Sequence, residues 1–143
     1  KTKIPLTILN KDGKLNDDEW TVIQGHTVEG ARMLLNSGPG LELAATVAYE
    51  HHRRFDGGGY PDVTYPRQTH EVSRLIQVCD VYDALRTRRP FRSPWPAPRA
   101  IHFLQERAGT HMDPQYVTSF ITLIKEWEPR HVALAEEEDE AAA

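Results

Sequence analysis

The sequence predicts an all-α fold, a helical bundle of about six helices, on three observations. Apolar residues recur close to the 3.6-residue period of an amphipathic helix through most of the chain. The alternation of polar and apolar residues that is typical of strands is missing. Capping residues, glycines and prolines divide the chain into segments of helical length. A chain of 143 residues with 39% hydrophobic and 27% charged residues fits one globular domain.

The ends of the predicted helices are marked as clearly as their interiors. Asn16 followed by Glu19 forms a capping-box pattern at the start of the first helix, LNDDEWTVIQG. The second, HTVEGARMLLN, stops at SGPG, and the third, LELAATVAYEHH, stops at a run of glycines. The last two, PAPRAIHFLQERA and DPQYVTSFITLIKEW, have a proline near the first turn. The fourth, HEVSRLIQVCDVYDALRTR, carries an apolar face of Leu75, Val78, Cys79, Tyr82 and Leu85.

The charge distribution separates a helical domain, residues 1–130, from an acidic tail, residues 131–143. Five acidic residues occupy positions 136–140, and this tail has no apolar partner, so we expect it to be disordered. No apolar run is long enough to span a bilayer, and we expect neither a membrane segment nor a nucleic-acid polymer as partner. A single cysteine, Cys79, cannot form an internal disulfide, which favours a reducing compartment.

The residues of AYEHHRRFDGGGYPD suggest a metal site. His51 and His52 follow each other at a helix end, about 100° apart around the axis, and so suit two neighbouring metals or a metal and a substrate. His26 begins another helix, and Asp80 lies in a mostly apolar one, where a carboxylate is costly unless a cation compensates it. Imidazoles with a carboxylate favour Fe, Mn or Zn over Ca or Mg. An ordinary helix end for the histidines and a partly exposed Asp80 stay open as alternatives.

Other polar residues around this stretch have a structural and a functional interpretation. The arginines of RTRRPFR, residues 86–92, could line a solvated loop or grip phosphate oxygens. Asp56 is expected to hold the glycine loop by bonds to backbone N–H groups. Asp83 is either an orienting partner of a ligand imidazole or of Arg89, or a surface aspartate. The segment FDGGGYPDVTYPRQT is the only long irregular loop predicted, and such loops are often functional.

The motif HHRRFDGGGYP resembles the signature of the HD-GYP domain family, HHE-x-x-DG-x-GYP. Four further blocks resemble family segments in the same order: IPLTILNKDGKL, HTVEGARML, CDVYDALRTRRPFR and AGTHMDPQYVTSFI. The resemblance covers roughly residues 1–127. It implies an HD-superfamily helical bundle and a bacterial, cytoplasmic, metal-dependent phosphodiesterase that hydrolyses cyclic di-GMP to pGpG or GMP in second-messenger signalling.

The resemblance also implies roles for individual residues. Two divalent ions, or three, with Fe or Mn expected, would be held by His26, His51, His52 and Asp80. The catalytic residues would be Asp80 and Lys1, which falls where the family has a lysine that reaches the scissile phosphate. Substrate would be bound by Gly59, Tyr60, Arg89 and Arg92. The partners implied are a diguanylate cyclase (GGDEF) domain or an upstream sensor or receiver domain.

The chain departs from the family pattern in ways that keep other functions open. The family's HD dyad lies upstream of Lys1, so we expect the fragment alone not to hydrolyse substrate efficiently. Arg53 replaces the glutamate of HHE, Thr27 replaces a proline, and the loop at residues 62–70 is rebuilt. One alternative is a catalytically degenerate module that binds cyclic di-GMP or a signalling partner. Another is a phosphohydrolase that acts on a different nucleotide.

Overall fold

Helices make up the regular structure of this chain, as the sequence predicts. The computed structural model describes residues 3–62, 68–89 and 92–141, with side chains up to residue 127. Over these ranges it contains seven helices and no β-strand, which confirms the all-α prediction. Their bounds are α1 Leu6–Leu9, α2 Asp17–Gln24, α3 His26–Leu35, α4 Glu42–Glu50, α5 Glu71–Arg86, α6 Ala97–Arg107 and α7 Pro114–Ala141. The single turn α1 was not predicted, and the other six were.

The predicted helix starts are built as expected. The side chain of Asn16 accepts a hydrogen bond from the backbone N–H of Glu19 at 2.8 Å, and the Glu19 carboxylate accepts one from the Asn16 N–H at 2.8 Å. This reciprocal capping box satisfies two N–H groups that the first helical turn leaves without carbonyl partners. Proline lies in the first turn of α6 and begins α7. Proline is favoured there because its missing N–H has no partner to lose.

Three details of the prediction differ from the structure. Helix α4 ends at Glu50, so His51 is its C-cap and His52 lies in the following turn rather than inside the helix. Leu75, expected on the buried face of α5, is 38% exposed, and the polar Ser73 and Gln77 are buried instead. The bounds of α7 include the acidic run for which we expected disorder, consistent with the high helix propensity of alanine and glutamate. The division at residue 130 stays a prediction.

Helices α3 and α4 form an antiparallel pair that brings distant histidines together. Residues 36–41 join the two helices, and Gly30 lies at their contact, where a Cβ would be in ordinary van der Waals contact with the Cβ of Ala48 at 3.6 Å. In an antiparallel pair, the start of the first helix lies beside the end of the second. His26, the first residue of α3, is therefore next to His51, at the end of α4.

The largest apolar cluster lies between α5, α6 and α7. Leu104 and Ala100 of α6 are fully buried there, against Val78 of α5 and Val117 of α7. Met112, in the connection between α6 and α7, fills the same cluster. Helix α5 packs in this core and also packs on α4. The core is therefore linked through α5 to the helix at whose end His51 lies.

Among the residues that the structure describes, no helix combines the length and the apolar content that a membrane span requires.

We expect Leu104→Ala to lower the free energy of unfolding by about 2–5 kcal/mol, because it leaves a cavity in a fully buried cluster. Leu123→Ala on α7 makes the same chemical change at a side chain that is 63% exposed. This control should cost less than about 1 kcal/mol. Urea denaturation measures both values, and equal losses would contradict the placement of the core.

Candidate metal centre

Three imidazoles converge where α3 begins and α4 ends. His26, His51 and His52 each offer a ring nitrogen, and these atoms lie within 4.8 Å of one another. The ring centroids of His51 and His52 are 4.1 Å apart, and those of His26 and His52 are 5.0 Å apart. The two adjacent histidines therefore both belong to one cluster of ring nitrogens. His26 is buried, and His51 and His52 are half-buried.

Backbone carbonyls fix the tautomers of two of these rings. Nδ1 of His26 lies 2.6 Å from the carbonyl oxygen of Ile23, and Nδ1 of His51 lies 2.9 Å from that of Ala48. A carbonyl oxygen can only accept, so in each ring Nδ1 carries the proton. Neutral rings of this tautomer have a lone pair on Nε2, the arrangement seen in metal-ligating histidines.

The donor set fits a divalent metal ion. The Nε2 atoms of His26 and His51 face each other at 3.2 Å. Two lone pairs at that distance repel unless a cation or an added proton lies between them. Two nitrogens on one metal, each about 2.0–2.1 Å from it, are separated by roughly 3 Å, which matches this spacing. The structure therefore brings together three of the four predicted ligands in a geometry that suits a metal.

A pair of aromatic rings forms one wall of the cluster. Tyr60 stacks on His52 with centroids 4.6 Å apart, and Trp20 contacts Tyr60 edge to face at 6.0 Å. Burial raises the pKa of Tyr60 to about 12, and the negative charge of Asp80 adds to this effect. The phenol is therefore neutral at physiological pH. It covers the imidazole without adding a charge.

Asp80 lies near this wall but outside the histidine cluster. It is half-buried on α5, and its charge acts on Tyr60. Among the described residues, the group of ligand atoms that lie within 4.8 Å of one another contains the three histidines alone. The assignment of Asp80 as a ligand stays a prediction. Asp83, one turn further along α5, is exposed and accepts a hydrogen bond from the Thr87 hydroxyl at 3.3 Å, which supports the surface alternative.

The glycine loop folds back so that Tyr60 reaches His52. The N–H of Tyr60 donates to the His52 carbonyl at 3.2 Å, and the N–H of Arg54 donates to the Gly58 carbonyl at 2.8 Å. Gly59 has a φ of 86°, and a Cβ at this position would lie 2.3 Å from the carbonyl oxygen of His52. Glycine is therefore required here both for the backbone conformation and for the space.

Asp56 holds this loop as the sequence predicts. Its carboxylate accepts a hydrogen bond from the N–H of Gly58 at 3.1 Å and forms an ion pair with Arg54. The bond from Gly58, followed by the contact with Arg54, lowers the pKa of Asp56. The backbone of the loop is also fixed from the other side, because the N–H of Phe55 donates to the carbonyl of His111 at 3.0 Å.

The sequence analysis missed Glu50, which joins the histidine helix to α5. This carboxylate is 4% exposed and accepts hydrogen bonds from the backbone N–H of His70 at 2.7 Å and from the Ser73 hydroxyl at 2.9 Å. His70 is the N-cap of α5, so the end of α4 caps the start of the helix that carries Asp80. The available signal was an acidic residue directly before the paired histidines, at the end of an apolar helix.

The arginines proposed for phosphate follow the end of α5. Arg89 and Arg92 exchange backbone hydrogen bonds of 2.9 and 3.1 Å. The guanidinium of Arg92 donates to the carbonyls of Ala84 and Leu85 and lies 5.2 Å from the ring of Trp95. Arg92 is thus already held against the end of α5, and both substrate assignments stay predictions. Lys1 and residues 63–67 of the rebuilt loop lie outside the described residues.

Known proteins resemble this chain over most of its length. Residues 1–116 match a family model described as HD domain. A cyclic di-GMP phosphodiesterase of Pseudomonas aeruginosa is 40% identical over 124 residues, covering 87% of this chain and 30% of that protein. A 3'3'-cGAMP-specific phosphodiesterase of Vibrio cholerae is 38% identical, covering 64% of this chain and 21% of that protein. A cyclic di-GMP phosphodiesterase of Thermotoga maritima is 36% identical, covering 88% of this chain and 34% of that protein. The chain thus spans about a third or less of these relatives.

We expect Gly59→Ala to destabilise the fold more than Gly57→Ala. Both glycines have a positive φ, 86° and 97°, so both substitutions carry the left-handed backbone cost of about 1–2 kcal/mol. Only at position 59 does the new Cβ collide with backbone, whereas nothing lies within 4 Å at position 57. The additional loss at position 59 should be about 1–3 kcal/mol by urea denaturation. Equal losses would mean that the loop does not close on His52 in this way.

We expect Glu50→Ala to lower the free energy of unfolding by about 2–4 kcal/mol, because it removes two hydrogen bonds to a buried carboxylate. Glu42→Ala, in the exposed first turn of the same helix, is the matched control and should cost less than about 1 kcal/mol. Thermal and urea unfolding measure both. A loss in Glu50→Ala no larger than that in the control would show that the carboxylate is not required at this junction.

Proposed function

This chain belongs to the HD domain family, and we propose that the protein containing it is a metal-dependent phosphodiesterase that hydrolyses cyclic di-GMP to pGpG or GMP. The observation that carries the proposal is the pair of facing Nε2 atoms of His26 and His51, 3.2 Å apart with both Nδ1 protons committed to carbonyls. Relatives named as cyclic di-GMP phosphodiesterases support the choice of substrate.

The metal would be bound by His26, His51 and His52, with Asp80 completing the site from α5. We propose Fe or Mn as a pair of ions, because nitrogen donors with a carboxylate suit these metals better than Ca or Mg. Such ions lower the pKa of coordinated water and stabilise charge on a phosphoryl group, which is the chemistry that phosphodiester hydrolysis requires.

The other residues of the site would orient the substrate and limit water. Tyr60 covers one face of His52. Because its phenol is neutral, Tyr60 would not repel the negatively charged phosphodiester. Arg89 and Arg92 would contact a phosphate of the substrate, and the bonds from the Arg92 guanidinium to the carbonyls of Ala84 and Leu85 hold Arg92 against the end of α5. Lys1 would donate to the scissile phosphate, which stabilises the charge that develops there.

The relatives differ in the cyclic dinucleotide for which they are named. A relative named for 3'3'-cGAMP is 38% identical, so a second cyclic dinucleotide has to be compared directly. Arg53 in place of the family's glutamate supports a second candidate, a module that binds cyclic di-GMP or a GGDEF or sensor domain without hydrolysis. Binding of cyclic di-GMP that persists in the presence of a chelator would favour that candidate.

The experiment uses the longest natural protein that contains this chain, loaded anaerobically with Fe(II) or Mn(II). We expect turnover of cyclic di-GMP to linear pGpG or GMP, separated by chromatography, and loss of turnover with EDTA. Asp80→Ala should lower turnover at least about 100-fold, since even residues behind the ligands typically contribute 10–100-fold. A parallel reaction with 3'3'-cGAMP identifies the preferred substrate.

Asp83→Ala is the matched control, because it removes the same group from an exposed position on the same helix. It should retain turnover close to that of the unmodified protein. Equal activity of the Asp80→Ala and unmodified proteins would overturn the proposed role of Asp80. A folded, metal-loaded protein that hydrolyses neither dinucleotide would overturn the phosphodiesterase proposal.

A further inference from the structure

A cavity lies beside the turn that follows the paired histidines. It has a volume of about 440 Å³ and is enclosed by the turn at residues 53–57, by Gln68 and Thr69, and by Arg74 of α5. None of the three histidines lines it, nor does Tyr60. The cavity is therefore separate from the candidate metal centre, although Arg53 follows His52 directly in the chain.

Three arginines line this cavity, and two of them are neutralised by neighbouring acids. Arg54 is paired with Asp56, and Arg74 lies 2.9 Å from a carboxylate oxygen of Asp113. The third, Arg53, is only 8% exposed. In the described part of the chain, the Arg53 guanidinium has no hydrogen bond and no ion pair. Among the three arginines, Arg53 is therefore the one whose guanidinium has no hydrogen-bonded or ion-paired acid within the described residues.

A buried guanidinium without an anion is costly. Arginine cannot lose its proton in a protein, so it cannot escape this cost by becoming neutral. The cost is offset only when an anion or strong acceptors bind to it. A cavity of this size admits a small anion directly beside Arg53, and the hydroxyl of Thr69 and the amide of Gln68 add neutral hydrogen-bond donors to the same walls.

The backbone of Arg53 is held in place before any ligand binds. Its N–H donates to the carbonyl of Glu50 at 2.8 Å, and its own carbonyl accepts from the side-chain amide of Gln77 at 2.9 Å. It also pairs with Gly59 across the loop. The backbone of Arg53 therefore loses little conformational entropy when a ligand binds, which favours binding.

We propose that this cavity is a second anion site, which binds phosphate or the phosphate group of a phosphomonoester through Arg53. The guanidinium presents two parallel N–H donors that match two oxygens of a phosphate group. The position holds a glutamate in the HD-GYP pattern, so the site is a property of this chain and not of the signature that it resembles. It is independent of the proposed hydrolysis, because it involves no metal ligand.

The test measures phosphate binding to the chain in EDTA, at constant ionic strength with sodium chloride as the reference salt. Isothermal titration gives the affinity, and the Nε–Hε NMR signal of Arg53 reports whether the ligand reaches this side chain. We expect Arg53→Gln to weaken phosphate binding by about tenfold or more, as expected for the loss of a charged hydrogen-bond donor. Titration with GMP in place of inorganic phosphate distinguishes a phosphomonoester from the free ion.

Arg32→Gln is the matched control, because it removes the same charge from an exposed position on α3 and should leave the affinity within about twofold. If Arg53→Gln does not fold, the NMR signal of Arg53 in the unmodified chain decides. The proposal is overturned if phosphate causes no more change in that signal than chloride does. It is also overturned if Arg53→Gln binds phosphate as tightly as the unmodified chain.

Discussion

The buried carboxylate of Glu50 is the contact on which the geometry of both sites depends. It lies one residue before the paired histidines and accepts hydrogen bonds from the N-cap and the first turn of α5. The end of α4 is thereby tied to the start of α5, across a connection of 20 residues. Because α5 packs in the main apolar core, the Glu50 side chain links the end of α4, where His51 and His52 follow, to a helix that the core holds.

The histidine cluster shows how helix ends can prepare metal ligands. The last carbonyls of a helix have no N–H partner within it, so they are free to accept from other donors. His51 uses one of these carbonyls, that of Ala48, and His26 uses the carbonyl of Ile23 near the end of α2. Each bond commits one ring nitrogen and leaves the other for a cation. The same backbone geometry that ends the helix therefore sets the tautomer of the ligand.

The segment from residue 51 to residue 60 serves two sides of the molecule. His51 and His52 belong to the histidine cluster, and His52 stacks on Tyr60. Arg53 and Arg54 instead line the cavity proposed as an anion site. Gly59 makes this possible, because it lets the returning chain pass directly against the carbonyl of His52. Arg53 thus follows the metal cluster directly in the sequence, but its side chain lines a cavity that the three histidines do not line.

The sequence by itself determined the helices, their caps and the residue types of the site. Periodicity and capping are local properties, so the capping box of Asn16 and the proline starts of α6 and α7 were predictable, as was the bond from Gly58 to Asp56. Only the tertiary structure decided which side chains meet. His26 and His51 are 25 positions apart, and their contact depends on the antiparallel packing of α3 on α4. The burial of Glu50, the exposure of Leu75 and the burial of Arg53 likewise depend on neighbours from distant segments, which local patterns do not encode.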